Sequence, residues 1–314
     1  MAVSKVDQPF NALAEAERLH KAMKGIGTNE NLIIDVLGHR PSHQRAEIAK
    51  AFKTSYGKEL DSALKSELSG DFLEVCEGLC YCLSEYDAKC LYSAVKGAGT
   101  DEEAIIDILS SRNNAQIQAI KASYSKVLHR DLEADIKSDV SGNFGRVLVG
   151  ILTANRDENP NVDPNLVAQD VEALFQAGEK KLGTNESTFN RVMCSRSYPH
   201  IAAVASEYAK RHKKNLLDVI DSETSGSYCS LLRSIVSYAI DPAAHVAELF
   251  YKSMKGLGTN DRRLQRTVIS QCESDLPAVK AAFQRLHNKS LAEMVRGDTS
   301  GDYRKILLAL LGEA

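Results

Sequence analysis

The chain has 314 residues, of which 43% are hydrophobic, and a formal net charge of -3. This composition allows a large buried core, and the slightly acidic balance argues against a nucleic-acid-binding protein, which needs positive charge along a phosphate backbone. No basic region joined to an apolar stretch indicates a signal peptide, and the apolar runs are too short to span a bilayer, so we expect a cytoplasmic protein. Seven cysteines without CxxC spacing predict reduced thiols rather than a disulfide framework or a zinc site.

The first predicted elements are short helices, because apolar residues recur at intervals of three and four. One stripe runs from Leu13 through Ala16 and Leu19 to Met23. Further stripes at 32–37 and 48–52, followed by segments at 60–68 and 72–83, complete about five helices. No segment alternates convincingly like a strand. The sequence therefore predicts an all-α fold.

A glycine loop, MKGIGT, follows the first helix at residues 23–28. It returns as VKGAGT at 95–100, KKLGT at 180–184 and MKGLGT at 254–259. A second recurring phrase carries an acid 39 positions after each loop threonine, and these acids are Glu67, Asp139, Glu223 and Asp298. Four copies of a fixed spacing indicate an internal repeat, in which each unit is too small to bury its apolar faces alone.

The spacing of the loops also predicts the domain organisation. Successive loop threonines are separated by 72, 84 and 75 residues, and the extra residues of the second interval fall in the proline-containing stretch 153–165. We interpret that stretch as a linker that divides the chain into two pairs of repeats. The predicted boundaries are a tail at 1–9, repeats at 10–83 and 84–155, a linker at 156–165, and repeats at 166–241 and 242–314.

The loops and acids suit a hard cation. A Gly-x-Gly loop can take backbone conformations that turn several carbonyl oxygens toward one point. Calcium accepts six to eight oxygen ligands with tolerant geometry, so loop carbonyls and one carboxylate would leave positions for water or another ligand. As a phosphate cradle, MKGIGT would need a preceding strand, which the sequence does not predict.

These features resemble the annexin family of calcium-dependent phospholipid-binding proteins, whose marker is a K-G-x-G-T loop followed by an acid after 38 residues. The resemblance extends from about Phe10 to the end of the chain. It implies calcium ligands from the loop carbonyls and the paired acid: Met23, Gly25 and Gly27 with Glu67; Val95, Gly97 and Gly99 with Asp139; Met254, Gly256 and Gly258 with Asp298. The third loop, AGEKKLGT, departs from the marker and suits the longer third loop of the family, with Gly178, Lys181 and Gly183 beside Glu223.

The resemblance also implies a curved disc of four five-helix repeats with its calcium loops on the convex face. Anionic phospholipid membranes, of the phosphatidylserine type, would bind there when calcium is raised. Scaffolding or aggregation of membranes, a cytoskeletal partner and self-association on the membrane would be compatible roles. The lipid-contacting residues would be those of the loop tips: Lys24, Ile26, Lys96, Ala98, Leu182, Lys255 and Leu257.

Two other functions remain open at this point. Asp87, Asp107, Arg112 and Arg266 match positions that line the hydrophilic centre of annexin discs, where ion conduction has been suggested, although ion pairing between repeats is the favoured role. His39 resembles a histidine proposed to ligate haem in plant annexins, which would suggest a peroxidase, although a surface or capping histidine is favoured. The sequence contains no hydrolase signature, and we expect a non-enzymatic protein.

An arginine recurs 12 positions after the loop threonine in three repeats. These residues are Arg40, Arg112 and Arg196, whereas the fourth repeat has Gln271 at this position. The sequence therefore predicts a contact in the first three repeats that the fourth repeat must make differently.

Overall fold

The computed structural model describes residues 9–179 and 184–313, and the regular structure in these residues consists of twenty α-helices without a strand. The predicted all-α fold is confirmed. The first two groups of five helices are α1 (Ala12–Ala22), α2 (Glu30–Leu37), α3 (Ser42–Tyr56), α4 (Leu60–Glu67), α5 (Gly70–Leu79), α6 (Leu83–Val95), α7 (Glu102–Leu109), α8 (Asn114–Leu128), α9 (Leu132–Asp139) and α10 (Gly142–Leu152).

The second half repeats this order of helices. Its ten helices are α11 (Pro164–Ala177), α12 (Glu186–Ser195), α13 (Tyr198–His212), α14 (Leu216–Glu223), α15 (Gly226–Ile240), α16 (Pro242–Met254), α17 (Asp261–Gln271), α18 (Leu276–His287), α19 (Leu291–Asp298) and α20 (Gly301–Leu310). In the part of the chain that the structure describes, no helix is both long and apolar enough to cross a bilayer.

The helices assemble into two compact units. Of the described residues, unit 1 contains those up to Tyr86 and from Val246 onward, and unit 2 contains those between Asp87 and His245. Each unit therefore combines two repeats, the first with the fourth and the second with the third. The prediction that the linker separates two pairs of repeats is wrong, since the stretch 153–165 lies inside unit 2.

The stretch 153–165 does not separate the second repeat from the third, because it packs against both of them. Arg156 donates to the carbonyl oxygens of Arg196 at 2.7 Å and Met193 at 2.6 Å, and its guanidinium lies 4.6 Å from the ring centroid of Tyr198. The side chain of Asn114 donates to the carbonyl of Arg156 at 2.8 Å. These contacts tie the second repeat to the third.

Each unit has its own apolar core, formed by the buried stripes of its helices. In unit 1, α2 packs against α20, and α5 packs against both α17 and α20. In unit 2, α7 packs against α15, and α10 packs against α12. The fully buried aromatic side chains include Phe52 and Phe283 in unit 1 and Tyr124 and Tyr208 in unit 2.

Each of the first three repeats contains an ion pair between the recurring arginine and a buried acid. Arg40 pairs with Glu15 at 2.6 Å. The equivalent pairs are Arg112 with Asp87 at 2.8 Å and Arg196 with Asp170 at 2.6 Å. In the fourth repeat the acid is replaced by buried Val246 and the arginine by Gln271, which accepts from Ser274 at 2.6 Å. Both charges are lost together, so neither is left unpaired.

Candidate cation loops

The four glycine loops join the first and second helices of their repeats. Each loop is closed by an equivalent backbone hydrogen bond. The amide of Asn29 donates to the carbonyl of Ala22 at 2.9 Å, and that of Asp101 donates to Ala94 at 2.8 Å. In the fourth loop the amide of Asn260 donates to the carbonyl of Ser253, and in the third loop the amide of Asn185 donates to the carbonyl of Ala177, both at 2.7 Å. The hydrogen-bonded residues of the third loop are one position further apart than those of the other loops, so the third loop is longer by one residue.

Paired glycines shape the loops of the first, second and fourth repeats. The φ angles are 106° and 85° at Gly25 and Gly27, and they are 109° and 96° at Gly97 and Gly99. The fourth repeat has 107° and 88° at its corresponding glycines, Gly256 and Gly258. Side chains other than hydrogen are strained at such angles, so the sequence needs glycine at both positions. The same backbone path thus recurs in both units.

The loop threonine donates a hydrogen bond to the acid 39 positions later in three repeats. The fixed spacing predicted that loop and acid should meet. Thr100 donates to the Asp139 carboxylate at 2.6 Å, and Thr259 donates to that of Asp298 at 2.5 Å. In the third repeat Thr184 donates to the Glu223 carboxylate at 2.8 Å. The sequence analysis missed this role of the threonine hydroxyl, although its constant place in the spacing was a usable signal.

The first repeat lacks this contact. The described structure contains no hydrogen bond between Thr28 and Glu67, and Glu67 is exposed, whereas the three acids held by threonine are half-buried. The cap of the following helix is kept, because the side chain of Asn29 accepts from the amide of Leu32 at 3.1 Å, as Asp101 and Asn260 do at the equivalent positions. The acid of the first repeat is therefore the least constrained of the four.

The third loop also brings a glycine and its acid together. A Cβ atom at Gly178 would lie 3.2 Å from Cγ of Glu223, so the loop begins directly against that acid. Glu179, which the sequence analysis missed, accepts from Tyr208 at 2.8 Å and pairs with Lys214. Lys181, Leu182 and Gly183 were also predicted to belong to this site, and they lie outside the described residues.

The loop tips expose apolar and basic side chains. Ile26 and Leu257 are completely exposed, each at 109% of the reference area. Ala98 is exposed in the second loop, and the predicted lipid-contacting lysines Lys24, Lys96 and Lys255 are exposed as well. Met23 and Met254, whose carbonyls were predicted to be ligands, have buried side chains, and the side chain of Val95 is half-buried. The loops are thus anchored at their start and free at their tips.

The donor atoms available at these loops fit calcium. Within residues 9–179 and 184–313, no group of three or more histidine, cysteine, aspartate or glutamate side chains is placed to hold a metal ion. A cation at these loops would therefore depend mainly on backbone carbonyl oxygens, with the paired carboxylate beside them. Such an all-oxygen donor set suits calcium better than a transition metal.

The residues predicted for a charged centre are buried. Asp87 and Arg112 form a bidentate pair with distances of 2.8 and 3.0 Å. Because both belong to the second repeat, the prediction that they pair between repeats is wrong. Asp107 is buried in unit 2 and Arg266 in unit 1. All four residues thus lie among packed helices.

His39, the residue of the haem alternative, lies two residues beyond the end of α2. Its Nδ1 is 3.3 Å from the carbonyl oxygen of Asp35, and its side chain is 18% exposed. This position favours the structural role that the sequence analysis preferred for His39.

The fold and loops together define an all-α protein of four five-helix repeats, three of which hold a distant carboxylate against the loop between their first two helices. The annexin family model matches residues 14–79, 86–151, 169–235 and 245–310. Human annexin A4 is 47% identical over 308 residues, which cover 98% of this chain and 97% of the relative.

Solved structures agree with this match. A structure of annexin III superposes with a TM-score of 0.96 at 36% identity, covering 99% of this chain and 96% of that one. Calcium-bound annexin (Sm)1 superposes with a TM-score of 0.86, also at 36% identity, and the coverage is 98% and 92%. The chain belongs to the annexin family, as its loops and acids predicted. Family membership supports calcium as the ligand and calcium-dependent phospholipid binding as the activity.

Proposed function

We propose that each glycine loop and its paired acid bind one calcium ion, and that a phospholipid oxygen completes the coordination. The observation that carries this proposal is the threonine contact, which fixes the carboxylate beside the loop in three repeats. The proposed ligands are the carbonyls and acids of the four sites: Met23, Gly25, Gly27 and Glu67; Val95, Gly97, Gly99 and Asp139; Gly178, Lys181, Gly183 and Glu223; Met254, Gly256, Gly258 and Asp298.

The charge of such a site selects the lipid. One carboxylate cannot neutralise a divalent cation, so an occupied site keeps about one positive charge and attracts an anionic headgroup. Charge-poor calcium sites bind weakly, with dissociation constants of about 10⁻⁴ M or higher. A lipid that completes the coordination raises the calcium affinity, and calcium raises the lipid affinity by the same factor.

The protein acts, in this proposal, as a non-enzymatic peripheral protein of the cytoplasm that moves to phosphatidylserine-type membranes when calcium rises. Several sites on one chain support scaffolding or aggregation of membranes. A cytoskeletal partner and self-association on the membrane are further proposals that rest on the resemblance alone.

Sedimentation with lipid vesicles tests this function. We expect the protein to pellet with phosphatidylserine-containing vesicles as calcium is raised and to return to the supernatant when a chelator is added. Phosphatidylcholine vesicles should bind it much more weakly, and added salt should weaken the binding to the anionic vesicles. Pelleting that is insensitive to the chelator, or equal for the two lipids at every salt concentration, would contradict the proposal.

The exposed loop tips provide a separate prediction. The double substitution I26D/L257D should weaken vesicle binding at least tenfold, because it places two anionic groups where the loops meet an anionic surface. Thermal unfolding should change little, since these side chains are fully exposed. L13D is a suitable control, because Leu13 is 58% exposed on α1 rather than in a loop, and it should leave binding unchanged. A large loss of stability in I26D/L257D would show that the tips are packed.

A further inference from the structure

The loop threonine is held by equivalent contacts in the first and second repeats. In the second repeat the next residue, Asp101, closes the loop through its amide and caps α7 by accepting from the amide of Ala104 at 3.0 Å. In the first repeat Asn29 closes the loop and caps α2 in the same way. The threonine therefore lies between a glycine and a helix cap in both repeats, and its β-branched side chain has few rotamers.

The paired acids differ between the repeats, although the threonines do not. The Asp139 carboxylate accepts from Thr100 at 2.6 Å and is half-buried, whereas Glu67 is exposed and accepts no such bond among the described residues. The length of the side chain does not explain this difference, because Glu223 is also a glutamate and accepts from Thr184 at 2.8 Å. The first repeat thus offers the same hydroxyl as the others without a carboxylate on it.

The threonine bond leaves the carboxylate able to bind a cation. A carboxylate has two oxygens with about four lone-pair positions, and one hydroxyl occupies one of them. In the third and fourth repeats the hydroxyl also lies 2.9 and 3.2 Å from the backbone carbonyl oxygens of Glu223 and Asp298. It can donate to this second acceptor when a cation draws the carboxylate toward the loop.

A carboxylate that is already held in place should bind calcium more tightly than a free one. A free glutamate loses rotamer freedom when it coordinates a cation, whereas a side chain held by threonine has lost that freedom on folding. The half-buried acids have also given up part of their hydration on folding. Glu67 must lose both its freedom and its water when calcium binds.

We propose that Thr100, Thr184 and Thr259 are positioning residues that raise the calcium affinity of their sites, and that the first site fills at a higher calcium concentration than the others. Unit 2 holds both of its paired acids by threonine, whereas unit 1 holds one of its two. A gradual rise in calcium then engages the second, third and fourth loops before the first. This inference rests on the proposed function, because it orders the same four sites.

The test uses full-length chains that each keep one paired acid. E67Q/E223Q/D298N keeps the second site and D139N/E223Q/D298N keeps the first, so both chains lose three negative charges. Isothermal titration calorimetry with calcium chloride alone gives the dissociation constant of the remaining site. We expect the second site to bind calcium about tenfold more tightly than the first.

Substitution of the threonine separates its effect from other differences between the two sites. In the chain that keeps the second site, T100V should raise the calcium dissociation constant at least about tenfold, because loss of a group that orients a metal ligand typically costs that much. T100S keeps the hydroxyl and should restore most of the affinity. T28V in the chain that keeps the first site is the matched control, and it should change the affinity by less than about twofold.

Each threonine variant is compared with its own parent chain, so the difference between glutamate and aspartate cancels. Thermal melting without calcium checks the fold, and T100A replaces T100V where the valine variant is unstable. Equal calcium affinities of the two single-site chains, equal effects of T100V and T28V, or a T100S variant as weak as T100V would overturn the inference. Calcium binding by neither the unmodified protein nor any single-site chain would instead overturn the proposed function.

Discussion

Replacing all four paired acids, as E67Q/D139N/E223Q/D298N, should abolish calcium-dependent vesicle binding. Each amide keeps the approximate shape of the acid but removes the only charged ligand proposed for its site, so calcium affinity at that site should be lost. Each single substitution should only raise the calcium midpoint, because the remaining sites of the same chain still engage the membrane at high effective concentration. Vesicle sedimentation across a calcium titration measures both effects.

The control for this series is the helix content of each variant. Each acid is the last residue of a helix, so its substitution could also affect the fold. Circular dichroism should show that the fourfold variant keeps the α-helical spectrum of the unmodified protein. A folded fourfold variant that binds vesicles with an unchanged calcium midpoint would show that the loops and their paired acids do not control membrane binding.

The largest effect on stability is expected at the buried ion pair of the second repeat. D87V removes one partner and leaves the Arg112 guanidinium buried without its carboxylate, so the free energy of unfolding should fall by about 3–5 kcal/mol. The double substitution D87V/R112Q reproduces the Val246 and Gln271 combination of the fourth repeat. Because no unpaired charge remains, the double variant should recover most of the lost stability.

Urea unfolding followed by circular dichroism provides the measurement, with R112Q as the matched single variant. R112Q should also be destabilised, because it leaves Asp87 buried without its guanidinium partner. A double variant no more stable than D87V would contradict the explanation that the fourth repeat tolerates Gln271 because the acid was lost with the arginine.

The fold class and the loops could be predicted from the sequence because they depend on local rules. The apolar spacing from Leu13 to Met23 specifies an amphipathic helix, and paired glycines such as Gly25 and Gly27 specify a loop with positive φ angles. The fixed interval of 39 positions also predicted that each acid meets its loop, and the threonine contacts show this meeting in three repeats. The interval repeats in four copies and the paired glycines in three, so chance is a poor explanation of either.

The pairing of the repeats could not be predicted in the same way. Proline and polar residues in 153–165 indicate an irregular segment, but the sequence does not show that Arg156 anchors it to neighbouring backbone carbonyls. The partner of the recurring arginine was also not predicted, because the acid lies 25 positions before the arginine in the first two repeats and alternates between Glu and Asp. Alignment of the repeats does reveal it, since Glu15 and Asp87 stand at one position where the fourth repeat has Val246.

Calcium binding measured with and without lipid tests the central claim most directly. Equilibrium dialysis against radioactive calcium counts the ions bound per chain, and phosphatidylserine vesicles can be added to the protein side. The shared-coordination account predicts weak binding without lipid and at least a tenfold lower calcium midpoint with vesicles, approaching four ions per chain. A calcium midpoint that vesicles leave unchanged would contradict the claim that each ion is shared between a loop and a lipid.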